Sequence, residues 1–283
     1  MKILDGNRIA QSILSPIAAA LQGCARPPGL AFLLVGENPA SAAYVRMKKK
    51  RCKEVGILSL DRELPATLSE EELLAEIRRL NEDPAVDGIL VQLPLPAHIR
   101  TAHILKAIDP RKDVDGFHPL NVGKLLLGET DGFLPCTPRG IHMLLQAANV
   151  PLDGAHVVIV GRSNIVGKPL AAILMQKAPH CNATVTVAHS HTRQLAVLCQ
   201  SADVLIAAMG RPRFISPDMV RPGAVVVDVG INRTPEGSLV GDVDFEAVAP
   251  RTSLITPVPG GVGPMTIAML LSNTLLSYQR RMT

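Results

Sequence analysis

Short apolar runs bounded by glycine, proline and aspartate alternate along the chain with segments of helical period. LAFLLV (30–35) predicts a buried strand closed by GENP, and GILVQL (88–93) predicts a second, ended by PLP. Between them SEEELLAEIRRL (69–80) predicts a helix. Ser69 and Glu72 stand at capping-box spacing, and Leu73, Leu74, Ile77 and Leu80 make one apolar stripe. TPRGIHMLLQAAN (137–149) predicts another helix, with Thr137 as cap and Pro138 at the first helical position. The rhythm then becomes regular. HVVIV (156–160), TVTVA (184–188), DVLIAA (203–208) and AVVVDV (224–229) are rich in Val and Ile, and helix-compatible segments separate them. Such alternation predicts βαβ units and a parallel sheet with helices on both faces. PMTIAMLLSNTLLSY (264–278) predicts a last helix opened by Pro264.

The expected fold class is α/β with two domains. Residues 1–120, with the C-terminal helix (264–283) returning to them, form a first domain. Residues 140–263 form a doubly wound, Rossmann-type second domain, and 121–139 bridge the two. Composition supports this. The 283 residues are 47% hydrophobic but only 2% aromatic, so Ala, Leu, Val and Ile do the packing, as suits buried parallel strands.

The formal charge of +4 fits anionic small ligands and is too weak to argue for nucleic acid. Five cysteines (24, 52, 136, 181, 199) make an odd count without CxxC spacing, the pattern of an intracellular chain with reduced thiols and no structural metal. His98, His103, His118, His142, His156 and His180 show no ligand spacing with one another or with cysteine, so no metal is expected. MKILDGNRIAQSIL is too polar for a signal peptide, and no apolar run reaches the length of a membrane span. The expected location is cytoplasmic.

HVVIVGRSNIVGKPLAAILM (156–175) reads as strand, glycine turn and helix, which points backbone N–H groups at a phosphate. Gly161, Ser163 and Gly167 form G-x-S-x-x-x-G rather than the dinucleotide pattern G-x-G-x-x-G. The next strand ends in His189, Ser190, His191 and Thr192, with no carboxylate for a ribose 2′-hydroxyl. Arg162 supplies a cation and Ser190 a hydroxyl, which suits the 2′-phosphate of NADP. The plainer alternative makes Arg162 a solvated loop residue and Ser190 a helix cap.

SAAYVRMKKKRC (41–52) puts Lys48 four residues after Tyr44. If the segment is helical, the two share a face, and a partly desolvated lysine beside a phenol can act as base or acid. Spacing alone favours a solvated basic face. Gln92 sits at the C-terminal end of a buried strand, where α/β sheets bind ligands, and a structural hydrogen bond explains it equally well. Asp113 and Asp115 precede Gly116, and on local grounds an Asx turn is the better reading. TPVPGGVGPMT (256–266) is dense in Gly and Pro, as a ligand-facing loop would be.

Together these stretches resemble one family, the bifunctional methylenetetrahydrofolate dehydrogenase/cyclohydrolases. The matching stretches are VGENPASAAYVRMKKKRCKEVGI, DGILVQLPLP, DPRKDVDGFHPLNVG, PCTPRGI, VVIVGRSNIVGKP, DVGIN, VGDVDF and ITPVPGGVGPMT, in the family's order from residue 35 to 266. The resemblance implies an N-terminal α/β catalytic domain joined to a Rossmann NADP domain, with the active site in the cleft between them. It implies oxidation of 5,10-methylenetetrahydrofolate with NADP, then hydrolysis of the methenyl product to 10-formyltetrahydrofolate. It implies catalytic roles for Lys48, Tyr44, Gln92 and Asp115. Lys48 aids water activation, Tyr44 orients the folate, Gln92 positions Lys48, and Asp115 anchors the pterin. Folate contacts are implied at Val91 and Leu93 beside Gln92, and at Pro259, Gly260, Gly261, Val262 and Gly263. On the NADP side it implies Gly161, Arg162, Ser163, Ser190 and Ile231. A homodimer is also implied. Asn7 stands where the family often has lysine, and Ala188 where cysteine is frequent.

Two rival readings are weaker. A polyanion binder using KKKR lacks an aromatic platform or a recognised motif. A different NADP dehydrogenase explains the second domain but not YVRMKKK, VQLPLP, DVDG and PGGVGP in one chain.

Overall fold

The computed structural model describes residues 2–282, apart from the side chains of residues 39 and 40. Along the chain run β1 (Lys2–Ile3), α1 (Gly6–Leu21), β2 (Gly29–Val35), α2 (Pro39–Val55), β3 (Leu58–Leu64), α3 (Glu70–Glu82), β4 (Gly88–Val91), α4 (Thr101–Ala107), α5 (Pro119–Leu127) and α6 (Cys136–Ala147). Then follow β5 (His156–Val160), α7 (Gly167–Leu174), β6 (Thr184–Ala188), α8 (Leu195–Gln200), β7 (Val204–Ala207) and β8 (Val225–Asp228). The chain continues with β9 (Asn232–Arg233), β10 (Leu239–Val240), α9 (Phe245–Val248), β11 (Leu254–Ile255) and α10 (Val262–Met282). Among the described residues, no helix is long and apolar enough to cross a membrane.

The chain divides into two compact units. One comprises Gln11–Cys136 and Ile267–Thr283, the other Met1–Ala10 and Thr137–Thr266. The expected boundaries put residues 1–10 in the first domain. In the structure they go with the second unit, because β1 pairs with β11 in its sheet.

The first unit is built on a three-stranded parallel sheet of order β3-β2-β4. β2 is buried at every residue, as its unbroken apolar run requires in the middle of a covered parallel sheet. Leu73, Ile77 and Leu80 of α3 pack with Ala31, Leu33, Ile89 and Val91. Both halves of the Ser69–Glu72 capping box form. The expected 88–93 strand stops at Val91. The Gln92 N–H still donates to Leu33 O (2.9 Å), and the chain then leaves the sheet.

The second unit is a six-stranded, all-parallel sheet of order β1-β11-β8-β7-β5-β6, with a separate antiparallel pair, β9 and β10. β6 and β7 flank β5 on opposite sides, so the chain reverses direction across the sheet there. The loop after β5 opens at this switch point, where doubly wound sheets bind ligands. The helix expected at 137–149 begins at Cys136 and ends at Ala147. Thr137 lies in its first turn and shares a hydrogen bond with the Thr266 hydroxyl (3.0 Å) instead of capping it.

Candidate active site

In the first unit, α2 carries Tyr44 and Lys48, β4 leads to Gln92, and the stretch after α4 carries Asp115. α2 forms over an Ala-, Met-, Lys- and Arg-rich stretch of good helix formers, and Asn38 Oδ1 accepts from the Ser41 N–H (3.1 Å) at its start. The helix turns Lys48 inward. Lys48 is 4% exposed, its Nζ donates to Gln92 Oε1 (3.1 Å), and it lies 4.6 Å from the Tyr44 ring centroid. The Gln92 Nε2 donates to Leu93 O (2.8 Å), which fixes the amide so that its oxygen faces the lysine. The neighbouring cations do otherwise. Lys49 pairs with Asp61 (2.9 Å) and Glu63 (3.4 Å), Arg51 pairs with Glu54 (2.7 Å), and Lys50 is exposed. One face of the run is thus solvated, and the opposite face carries the tyrosine–lysine pair.

Burial pushes the Lys48 amine below the ordinary lysine value, while the charge of Asp115 opposes that shift. Burial pushes Asp115 up, and the Lys48 charge and a hydrogen bond from Cys136 oppose this. The Cys52 thiol is pushed up to about 12, chiefly by burial, and stays protonated. The two aspartates have different jobs. Asp113 makes the turn, with its carboxylate accepting from the N–H groups of Phe117 (3.1 Å) and His118 (2.8 Å) and from Asn121 Nδ2 (2.8 Å). Asp115 lies within the field of Lys48. Asp113 is therefore tied up in local structure, though its N–H donors stand four and five residues on rather than the two of the expected Asx turn. Cys136 had no visible signal in the sequence; only the packing brings its sulfur to Val114 O (3.2 Å) and Asp115. A half-buried carboxylate, a lysine with a lowered pKa and an aromatic face can hold a heterocycle with N–H donors and move a proton beside it.

In the second unit, Gly161 has φ +138°, and a Cβ there would run into Ala208 O of the loop after β7. A Cβ on Gly167 would run into Gly161 O, so the first turn of α7 packs on the glycine turn itself. The Ser163 hydroxyl accepts from the Val166 N–H (3.1 Å), while Arg162, Ser163 and Ser190 are exposed. Gln194 occupies the cap position of α8, which removes the helix-cap alternative for Ser190. Arg162 faces His189 closely enough to hold the imidazole below its ordinary pKa, after the effect of burial. The His191 N–H donates to His189 Nδ1 (3.2 Å). A close-approach glycine turn with one guanidinium, exposed serine hydroxyls and no carboxylate fits a dinucleotide carrying a 2′-phosphate.

Two buried aspartates hold the loops around this sheet end. Asp228 accepts from the N–H groups of Gly230, Asp242 and Val243 (3.0, 2.9 and 2.9 Å), and burial pushes it up to about 6. Asp242 accepts from Met209, Gly210 and Arg211 N–H (2.7, 2.9 and 2.8 Å) and from Asn232 Nδ2 (2.9 Å). Ile231, next to them, is 56% exposed, and a Cβ on Gly263 would sit 3.8 Å from its Cδ1. In the Pro259–Gly263 stretch, Gly261 and Val262 are buried and Pro259 is exposed, and α10 already begins at Val262, two residues before the expected start at Pro264. Among the described residues, no group of three or more His, Cys, Asp or Glu is placed to hold a metal ion.

Family models cover both units. Residues 4–115 match the tetrahydrofolate dehydrogenase/cyclohydrolase catalytic domain, and residues 135–282 match the NAD(P)-binding domain of the same family. The chain belongs to the tetrahydrofolate dehydrogenase/cyclohydrolase family. A relative from Protochlamydia amoebophila, the bifunctional protein FolD, is 58% identical, and the match covers 98% of each chain. The FolD crystal structure from Campylobacter jejuni superposes with a TM-score of 0.95 at 50% identity, over 99% of each chain. The Trypanosoma brucei enzyme, solved with NADP cofactor and an inhibitor, has a TM-score of 0.92 at 38% identity, over 98% of this chain and 96% of that one. The two α/β domains expected from the sequence are those of this family.

Proposed function

We infer that this chain is a bifunctional enzyme of folate one-carbon metabolism. It oxidises 5,10-methylenetetrahydrofolate with NADP and hydrolyses the methenyl product to 10-formyltetrahydrofolate. The observation that carries the reading is the buried Lys48 held by Gln92 beside Tyr44 and Asp115.

NADP, when bound by Gly161, Arg162, Ser163 and Ser190 with Ile231 beside the nicotinamide, supplies the hydride acceptor. In the folate, the methylene carbon lies between two nitrogens whose lone pairs stabilise the cation left by hydride loss. The first step is therefore mainly one of positioning. Asp115 accepts from the amino and ring N–H groups of the pterin, and the Tyr44 ring orients it. Val91 and Leu93, beside Gln92, complete the folate contacts of this unit. In the second step water adds to the methenyl carbon, one carbon–nitrogen bond breaks, and one proton is released. Lys48, in its neutral form, takes that proton from the water. Burial makes the neutral form available at lower pH than for an ordinary lysine. Gln92 keeps the Nζ aimed at the reacting carbon. We extend the reading to a homodimer in the cytoplasm, which light scattering and fractionation test.

The test of function uses the purified chain with methylenetetrahydrofolate and NADP, following NADPH and the methenyl chromophore separately. NADPH should form, and methenyltetrahydrofolate should decay faster than its uncatalysed rate. Accumulation of the methenyl compound at the uncatalysed rate of decay would remove the hydrolase half, and absence of NADPH would remove the whole reading.

A further inference from the structure

Asn273 is fully buried in α10, in a helix whose neighbouring Leu270 and Leu271 are also buried. A buried amide costs free energy unless its donors are used. Its Nδ2 donates to Val114 O (2.8 Å) and Leu134 O (3.1 Å) and lies 3.7 Å from the Cys136 sulfur. Neither carbonyl belongs to a strand. Val114 is the residue before Asp115. It lies past the bond from the Ile89 N–H to Lys112 O (2.8 Å), where this stretch still runs along the sheet edge. The Val114 carbonyl thus accepts from Asn273, with the Cys136 sulfur 3.2 Å away. On the other side of Asp115, Gly116 has φ +75°, and a Cβ there would lie 2.7 Å from both Leu134 C and Pro135 N. The backbone on both sides of Asp115 is therefore held by residues 133–136 and by one amide of the C-terminal helix.

We propose that Asn273 is a positioning residue for folate binding: by holding the Val114 and Leu134 carbonyls it sets the direction of the Asp115 carboxylate. The inference rests on the role given to Asp115 above. A carboxylate that must meet two parallel N–H donors tolerates little rotation, so loosening the peptide before it weakens folate binding and leaves NADP binding intact.

The test measures Kd for tetrahydrofolate and for NADP by titration calorimetry. It uses the full chain, Asn273→Leu, Asn273→Ser, Asp115→Asn and the Asn273→Leu/Asp115→Asn double variant, with thermal denaturation alongside. Asn273→Leu keeps the volume and removes both bonds; Asn273→Ser is easily accommodated and can restore one. The expected result is a Kd for tetrahydrofolate raised about tenfold in Asn273→Leu and less in Asn273→Ser, with NADP Kd within about twofold. In the double variant the two losses should not multiply, because both act through one carboxylate. Unchanged tetrahydrofolate affinity in folded Asn273 variants, or full multiplication in the double variant, would overturn the proposal and reduce Asn273 to a core residue. Failure of the unaltered chain to bind tetrahydrofolate would instead remove the reading of Asp115, and this inference with it.

Discussion

Lys48 in the first unit and Arg162 in the second are both cations at the C-terminal side of a parallel sheet, yet the fold treats them oppositely. Lys48 is 4% exposed, bonded to Gln92 and held below its ordinary pKa by burial. Arg162 stands exposed on a glycine turn. The difference follows the chemistry each can do. A base must give up its proton, and desolvation makes an amine do so more readily. A phosphate anchor must stay charged and reachable, and a guanidinium in an open loop is both.

The sharpest way to break the comparison is Lys48→Met. Hydrolysis of methenyltetrahydrofolate should fall by about 10²–10³-fold, while NADP affinity stays unchanged. If both fall together, the two cations do not divide the work. Asp115→Asn should raise the KM for the folate in both reactions by about tenfold or more, as for a lost hydrogen bond to a charged group. Arg162→Ala should cut the preference for NADP over NAD by about tenfold, read as the ratio of kcat/KM values, with the folate KM unmoved.

A pH profile sharpens the same contrast. The hydrolase rate should rise with pH through a pKa below the ordinary lysine value, because the neutral amine is the active form and burial disfavours the cation. The same shift acts on stability. Between the folded and unfolded pKa values of Lys48 the unfolded chain binds the extra proton, so this group's contribution to stability rises with pH through that window. A rate that does not change with pH there would argue against Lys48 as the base. The smallest effect is expected at Lys49→Ala. Its surface pairs with Asp61 and Glu63 are worth under about 1 kcal/mol, so melting should barely move and both activities should persist.

Several elements were legible because a single local cause forms them. β2 and the Val-rich strands of the second unit are continuous apolar runs, and α3 carries its own cap and stripe. β3 gave no such signal. It is an edge strand reading LSLDREL, with no buried residue, and its pairing is set by β2 beside it. β1 and β11 are two residues each and exist only through their neighbours in the sheet. The proposal for Ser190 and Arg162 rests on the missing carboxylate after β6, which is a local cue. Cys136 and Asn273 could not be found that way, since their partners lie far along the chain.

What the sequence determined by itself was the alternation of elements, the glycine turn after β5, and the four-residue spacing that puts Tyr44 and Lys48 on one side of a helix. Spacing states which residues share a face and is silent on which face meets the core. Only the packing of α2 against its sheet turned Lys48 inward and left Lys49 and Arg51 to their surface carboxylates. The choice between Asp113 and Asp115 was settled in the same way. Two carboxylates two residues apart have equal local claims to a turn, and the one whose oxygens meet Phe117, His118 and Asn121 is consumed by structure. Desolvation, and the pKa shifts it produces, belongs to the assembled fold, because it depends on every group that excludes water from the site.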